Sequence, residues 1–157
     1  MPKNCDHKSV GMLVWKNGEL LLIERKKPPF GFAPPAGHLD EDGDDFGSAA
    51  KRELMEEVGL DAGNMELVAE GKKENHCRRE GGTWHYWKIY KIAAEGEIKR
   101  SEDETKQAEF YSKEKINLLI SKTKEYIQGK LTEEDWEKSP GIEPVWYEWL
   151  KELKIVE

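Results

Sequence analysis

Cysteine and unbroken apolar sequence are both scarce in this 157-residue chain, which carries two cysteines. Two thiols are too few for a disulfide framework. No stretch approaches the ~20 apolar residues of a membrane-spanning helix. The N-terminal MPKNCDHKSV has no apolar leader region, so the expected location is the cytoplasm. Positive charge is short as well: 25 Lys and Arg stand against 32 Asp and Glu, a net charge of −7. That balance excludes a broad basic surface, so neither a stable nucleic-acid partner nor a membrane is expected. Internal repeats and low-complexity segments are absent. Cys5 and Cys77 lie in CDH and HC, so a zinc set of Cys5, His7, His76 and Cys77 is conceivable. The spacings depart from C-x2-C, and two ordinary thiols are the expectation. The acidic run DEDGDD at 40–45 invites a calcium-loop reading, but Gly43 is fourth from Asp40, where that loop needs glycine sixth.

What is present is 37% hydrophobic residues, enough over this length for one domain, 1–157, with a real core. The chain is organised around 37–60, GHLDEDGDDFGSAAKRELMEEVGL. Over roughly 45–58 a helical pattern carries Glu53, Glu56 and Glu57 within an arc of about 100°. Like charges so placed repel unless a cation offsets them. The opposite side carries Ala50, Leu54 and Val58, an apolar line fit for a core. Asp44 and Asp45 suit the helix N-terminus, and Gly59 suits its left-handed end. One face is anchored and the other is acidic. Hard divalent cations favour such oxygen-rich sites, Mg²⁺ taking one or two carboxylates and keeping waters and substrate phosphates.

These residues resemble the Nudix hydrolase signature of MutT-like proteins, G-x5-E-x7-R-E-U-x-E-E-x-G-U, where U is aliphatic. The second half matches at Arg52, Glu53, Leu54, Glu56, Glu57, Gly59 and Leu60. The first half departs from it, with six residues between Gly37 and an acidic residue, which is Asp44 in place of Glu. We read this as a one-residue lengthening at 40–43. The preceding GFAPPAGHLD is similar to the strand and turn that lead into a Nudix loop. The resemblance implies an α/β fold, a Nudix-type α/β/α sandwich with a mixed β-sheet between helices. It implies a metal-dependent nucleoside-diphosphate-X pyrophosphohydrolase using Mg²⁺ or Mn²⁺, with a small-molecule nucleotide as partner. Carried over residue by residue, Glu53, Glu56 and Glu57 are metal ligands, one of them alternatively the general base. Gly37 offers a backbone carbonyl to the metal, and Arg52 orients the carboxylates, with Asp44 as a candidate partner. A further acidic residue from 95–109 completes the set, with Glu104 and Glu109 both open.

In chain order, 9–15 and 19–25 flank Asn17-Gly18, a strong hairpin signal. The second run, ELLLIER, is continuously apolar and suits a strand covered on both faces. Residues 65–74 and 83–93 read as a second strand pair joined around 77–82. On the later strand Trp84, Tyr86, Lys88 and Tyr90 share one face, and His85, Trp87 and Ile89 the other. Cross-strand packing explains such aromatics; Trp84, Tyr86, Trp87 and Trp146 are nonetheless the candidates to line a pocket and stack on a base. Arg78, Arg79, Lys72 and Lys73 are candidates to clasp phosphate. Residues 95–109 read as a polar loop. Helices are expected at 113–128, with Ile116, Leu119, Ile120 and Ile127 on one stripe, briefly after Thr132, and at 143–153 from Pro144. About five or six strands and three helices result.

Two other readings compete with the hydrolase. One is a non-catalytic nucleotide-binding module; the other is an interaction protein, such as a homodimer, working through the Trp-rich last helix. Among nucleotides the preference is for a (d)NTP-type substrate or a dinucleoside polyphosphate, since PPAGHLD and GDDF are similar to segments of diadenosine polyphosphate hydrolases.

Overall fold

The computed structural model describes residues 4–157; residues 1–3, the start of the segment read above for a leader, lie outside the described residues. The central helix, α1 (Phe46–Val58), forms where the pattern places it. The Asp45 side chain accepts the Ser48 N–H at 3.0 Å as its N-cap, and Gly59 ends it at φ 71°. Ala49, Ala50, Leu54 and Val58 are fully buried. Asp44 takes no capping role and instead pairs with Lys8 at the surface. The stretch of extra length contains a 3-10 turn (Asp40–Asp42) ended by Gly43 at φ 64°.

The continuous apolar run becomes β3 (Glu19–Arg25), and its side chains do divide between two cores. Leu20 and Leu22 join one cluster, Leu21 and Ile23 the other. The first apolar run, however, is split. Its early part, β1 (Lys8–Leu13), pairs parallel with β7 (His85–Glu95) and antiparallel with β5 (Ala36–His38). Only β2 (Trp15–Lys16) makes the hairpin with β3, across Asn17 and Gly18, both at positive φ. β6 (Asp61–Lys73) completes the first sheet in the order β5-β1-β7-β6. In the second sheet β3 lies between β4 (Phe32–Ala33) and β8 (Thr105–Tyr111). β8 was not legible in TKQAEFY because the segment opens with three polar residues and has no regular alternation; its pairing with β3 supplies what local propensity does not. The α/β fold implied by the resemblance is present, its β layer formed by two four-stranded sheets of which the first is mixed.

α1 covers one side, burying the cluster of Val10, Met12, Leu21, Leu54 and Val58. The other side is covered by α2 (Lys113–Ile127) and α4 (Pro144–Glu152), with Trp146, Trp149, Ile116 and Ile120 in its core. Trp146, a pocket candidate in the sequence, is 1% exposed and edge-on to Trp87 at 5.5 Å. Ile127 leaves the expected stripe, 58% exposed; Thr123 takes the buried place, donating to the Ile142 carbonyl at 2.7 Å. α3 (Glu133–Lys138) is held by a Thr132–Asp135 capping box. No helix among the described residues is long and apolar enough to cross a membrane.

Because Leu54 is fully buried between α1 and the sheets, Leu54→Ala is expected to cost about 3 kcal/mol in denaturant unfolding. Leu118→Ala, at a position 70% exposed in α2, should change stability by less than about 0.5 kcal/mol. Equal effects would show that the buried stripe does not anchor the helix.

Candidate active site

Glu53, Glu56 and Glu57 line one cavity of about 420 Å³, together with Gly37, Arg52 and Glu104. They differ sharply in surroundings. Glu56 is more than half exposed, whereas the Glu53 side chain is 14% exposed. Glu57 is buried, and its Oε2 has no hydrogen-bond partner among the described residues. Burial pushes the Glu53 carboxyl up to about 7, against the lowering influence of Arg52 and with Glu56 adding like charge. Burial also holds the Glu57 carboxyl well above the ordinary range; Glu53 reinforces this, and Arg25 and the Ala36 N–H oppose it. An orphaned buried acceptor beside a second perturbed carboxylate fits a cation, which would satisfy one and neutralise both.

The electrostatic cost is partly met by Arg52. Its Nε donates to Asp42 Oδ2 at 2.8 Å and one terminal nitrogen to Glu53 Oε1 at 2.9 Å and Glu56 Oε2 at 3.4 Å. The other terminal nitrogen donates to the carbonyls of His38 and Leu39, each at 3.1 Å. The loop partner of Arg52 is thus Asp42, where Asp44 was the candidate. Spacing alone pointed to the wrong aspartate because the 3-10 turn brings Asp42 inward. Gly37 sits so near Glu53 that an added Cβ would overlap its carboxylate.

The loop after β7 folds over the end of α1. Lys99 N–H donates to the Val58 carbonyl at 2.7 Å and Ser101 N–H to the Glu57 carbonyl at 2.8 Å. Those bonds bring Glu104 into the cavity lining. Glu109 stays outside it, exposed on β8 opposite Leu22. Arg78 and Arg79 reach the cavity from the β6–β7 loop. Arg79 is engaged bidentately by Asp40, which leaves Arg78 as the more available of the two.

Strand alternation sorts the aromatic candidates. His85 and Trp87, 1% and 4% exposed, face inward and border the cavity, and Trp87 Nε1 donates to Asn75 Oδ1 at 3.1 Å. Trp84 and Tyr86 point the other way and lie outside it. Trp84 stacks on His7 at 4.0 Å, and the Tyr86 hydroxyl donates to Glu70 at 2.6 Å. Lys72 sits over Trp84, and Lys73 pairs with Glu152, so neither lysine borders the cavity. Sequence reasoning passed over Arg25 and Glu143, both in the lining. A charged residue ending an apolar strand was the available signal for Arg25; Glu143 carried none.

Cys5, His38, Cys77 and His85, the last three in the lining of the same cavity, place one potential ligand atom each within 4.8 Å of one another. It is the one such group of three or more among the described residues. His7 and His76, which the sequence paired with the two cysteines, are not part of it.

The NUDIX domain family model matches residues 6–134. Similar solved structures include a NUDIX-family hydrolase from Clostridium perfringens, 17% identical over 96% of this chain and 98% of that one, with TM-score 0.63. The E. coli dihydroneopterin triphosphate pyrophosphohydrolase is 18% identical over 71% of this chain and 84% of its own, with TM-score 0.60. The MutT NUDIX hydrolase from Burkholderia pseudomallei is 23% identical over 69% and 84%, with TM-score 0.57. At such identities the likeness to these structures is one of fold.

The contact between Gly37 and Glu53 generates a double-variant test. Gly37→Ala should lower the melting temperature in the wild-type background and lower it much less in Glu53→Ala, a coupling on the order of 1 kcal/mol. Additive effects would mean that the two positions do not constrain each other.

Proposed function

Because this chain belongs to the NUDIX domain family and is a Nudix-type pyrophosphohydrolase, we propose that it hydrolyses the pyrophosphate linkage of a nucleotide, of (d)NTP type or a dinucleoside polyphosphate. The observation that carries this reading is one cavity lined by Glu53, Glu56 and Glu57 and by Arg25, Arg78 and Arg79. Carboxylates alone would repel a diphosphate, and arginines alone would bind it without activating water.

Glu53, Glu56 and Glu57 would hold Mg²⁺ or Mn²⁺, with Gly37 and Glu104 in the same lining. A bound divalent ion supplies charge neutralisation, polarisation of the phosphoryl oxygens and an acidified water. Arg52 acts on the carboxylates, not on substrate: its bonds to Asp42, Glu53 and two carbonyls set where the acidic face points. Glu57, buried with an unpartnered oxygen, is placed to accept a proton from attacking water if it is not itself a ligand. Arg78 would serve phosphate oxygens through bidentate hydrogen bonds, and Trp87, in the cavity lining, would border the base. Positioning and electrostatics carry such a reaction with little covalent participation.

The first test is a panel of (d)NTPs, dinucleoside polyphosphates, ADP-ribose and nucleotide sugars with Mg²⁺ and with Mn²⁺, products identified by mass. Glu57→Gln should fold normally and lose most turnover. Wild-type rates in that variant would overturn the assignment, and tight nucleotide binding without product release by the wild type would favour a binding module.

The raised Glu53 carboxyl also has a pH consequence. The folded state binds this proton more tightly than the unfolded chain, so its stabilising contribution is complete below about 4.5 and is lost as pH rises through about 7. In chelator, the stability of wild type relative to Glu53→Gln should fall across that window. Added Mg²⁺ should reduce the fall, because it binds the ionised form. A flat difference would place Glu53 in contact with water.

A further inference from the structure

We propose that Cys5, His38, Cys77 and His85 form a tetrahedral Zn²⁺ site that fastens the N-terminal segment and the β6–β7 loop to the sheet beside the cavity. Tetrahedral Zn²⁺ with sulfur at ~2.3 Å and nitrogen at ~2.05 Å implies sulfur–nitrogen edges of about 3.5 Å. Cys5 Sγ stands 3.6 Å from His38 Nε2 and 3.3 Å from His85 Nε2, and all four ligand atoms lie within 4.8 Å of one another. Two sulfurs and two imidazoles are a donor set for zinc, softer than the oxygens that suit Mg²⁺.

Each sulfur has a backbone N–H directed at it. The His7 N–H points at Cys5 Sγ at 3.3 Å, and the Arg79 N–H at Cys77 Sγ at 3.4 Å. In both cases the donor is the amide two residues after the cysteine, a local turn that directs a dipole at the sulfur. Such outer bonds hold a ligand in orientation and stabilise its charge. Gly82 closes the second turn: the Cys77 N–H donates to its carbonyl at 2.8 Å, and an added Cβ there would overlap Cys77 Sγ. The two cysteine segments are bound to each other by the Cys5 N–H donating to the Glu80 carbonyl at 2.9 Å. The four ligands thus come from four places: the N-terminal segment, β5, the β6–β7 loop and the start of β7.

Position gives the site a consequence. His38 follows Gly37 directly, and Cys77 precedes Arg78 and Arg79. Zinc would hold the arginine-bearing wall of the cavity against the strand that leads into the acidic helix. A network of two thiols and two neutral imidazoles is the rival explanation; it binds no ion and loses little when a serine replaces one cysteine.

Zinc content settles the matter without any assay of hydrolysis. Protein purified under reducing conditions without chelator should contain about one zinc per chain by elemental analysis. Metal-free protein reconstituted with Co²⁺ should show a thiolate-to-cobalt charge-transfer band in the near ultraviolet with strong visible bands of tetrahedral cobalt. Cys5→Ser and Cys77→Ser should lose that band, whereas His7→Ala, His76→Ala and Glu56→Gln should keep it, since the carboxylate site offers no sulfur. Should the serine variants fail to fold, the wild type still decides: Zn²⁺ should protect both thiols from titration and slow tryptic cleavage after Arg78 and Arg79. Absence of a thiolate band in reduced wild-type protein, or thiol reactivity indifferent to Zn²⁺ and chelator, would overturn the proposal.

Discussion

A crowd of carboxylates on one flank of α1, held together by the guanidinium of Arg52, is the constraint on which the rest of the molecule turns. Glu53 and Glu57 are drawn out of water, and burial raises both. A helix carrying them would swing toward solvent if its other flank were not committed to a core. Ala49, Ala50, Leu54 and Val58 supply that commitment, each fully buried. Arg52 then ties the acidic flank to Asp42 and to the His38 and Leu39 carbonyls. A lysine could not do this, because a point charge on a flexible stem lacks the planar fork that reaches both a carboxylate and two carbonyls.

Two sites with opposite chemical preferences adjoin across one short strand. Within β5, Gly37 lies against Glu53 and His38 against Cys5. The glutamates offer hard oxygen, which would suit an ion that also meets substrate; the cysteines and histidines offer sulfur and nitrogen. Ligand type would keep the two proposed ions apart. A zinc ion held there would brace the edge of a cavity in which Glu53 bears the like charges of Glu56 and Glu57.

Legibility followed the range of the interactions. α1 was readable because its cap, its apolar stripe and its glycine terminator all lie within fifteen residues and agree with one another. ELLLIER was readable as a two-sided strand because its apolar run is unbroken, and the alternation at 84–90 separated inward from outward faces correctly. What alternation could not say is which face borders the cavity, so Trp84 and Tyr86 were grouped with Trp87 although they lie outside it. β8 escaped notice because its pairing partner, β3, is some eighty residues away. The aspartate that meets Arg52 escaped for a smaller reason, a single 3-10 turn that shifts which carboxylate faces inward.

The amino-acid sequence by itself determined the helix, its acidic and apolar flanks and the family, since periodicity and a dense local motif are properties of neighbouring residues. Only the tertiary structure decided that Glu104 and not Glu109 joins the cavity, that Arg25 stands beside Glu57, and that Cys5 and Cys77 meet His38 and His85 rather than His7 and His76. Each of those choices depends on strands far apart in the chain crossing at one place, and no spacing along the chain encodes where they cross.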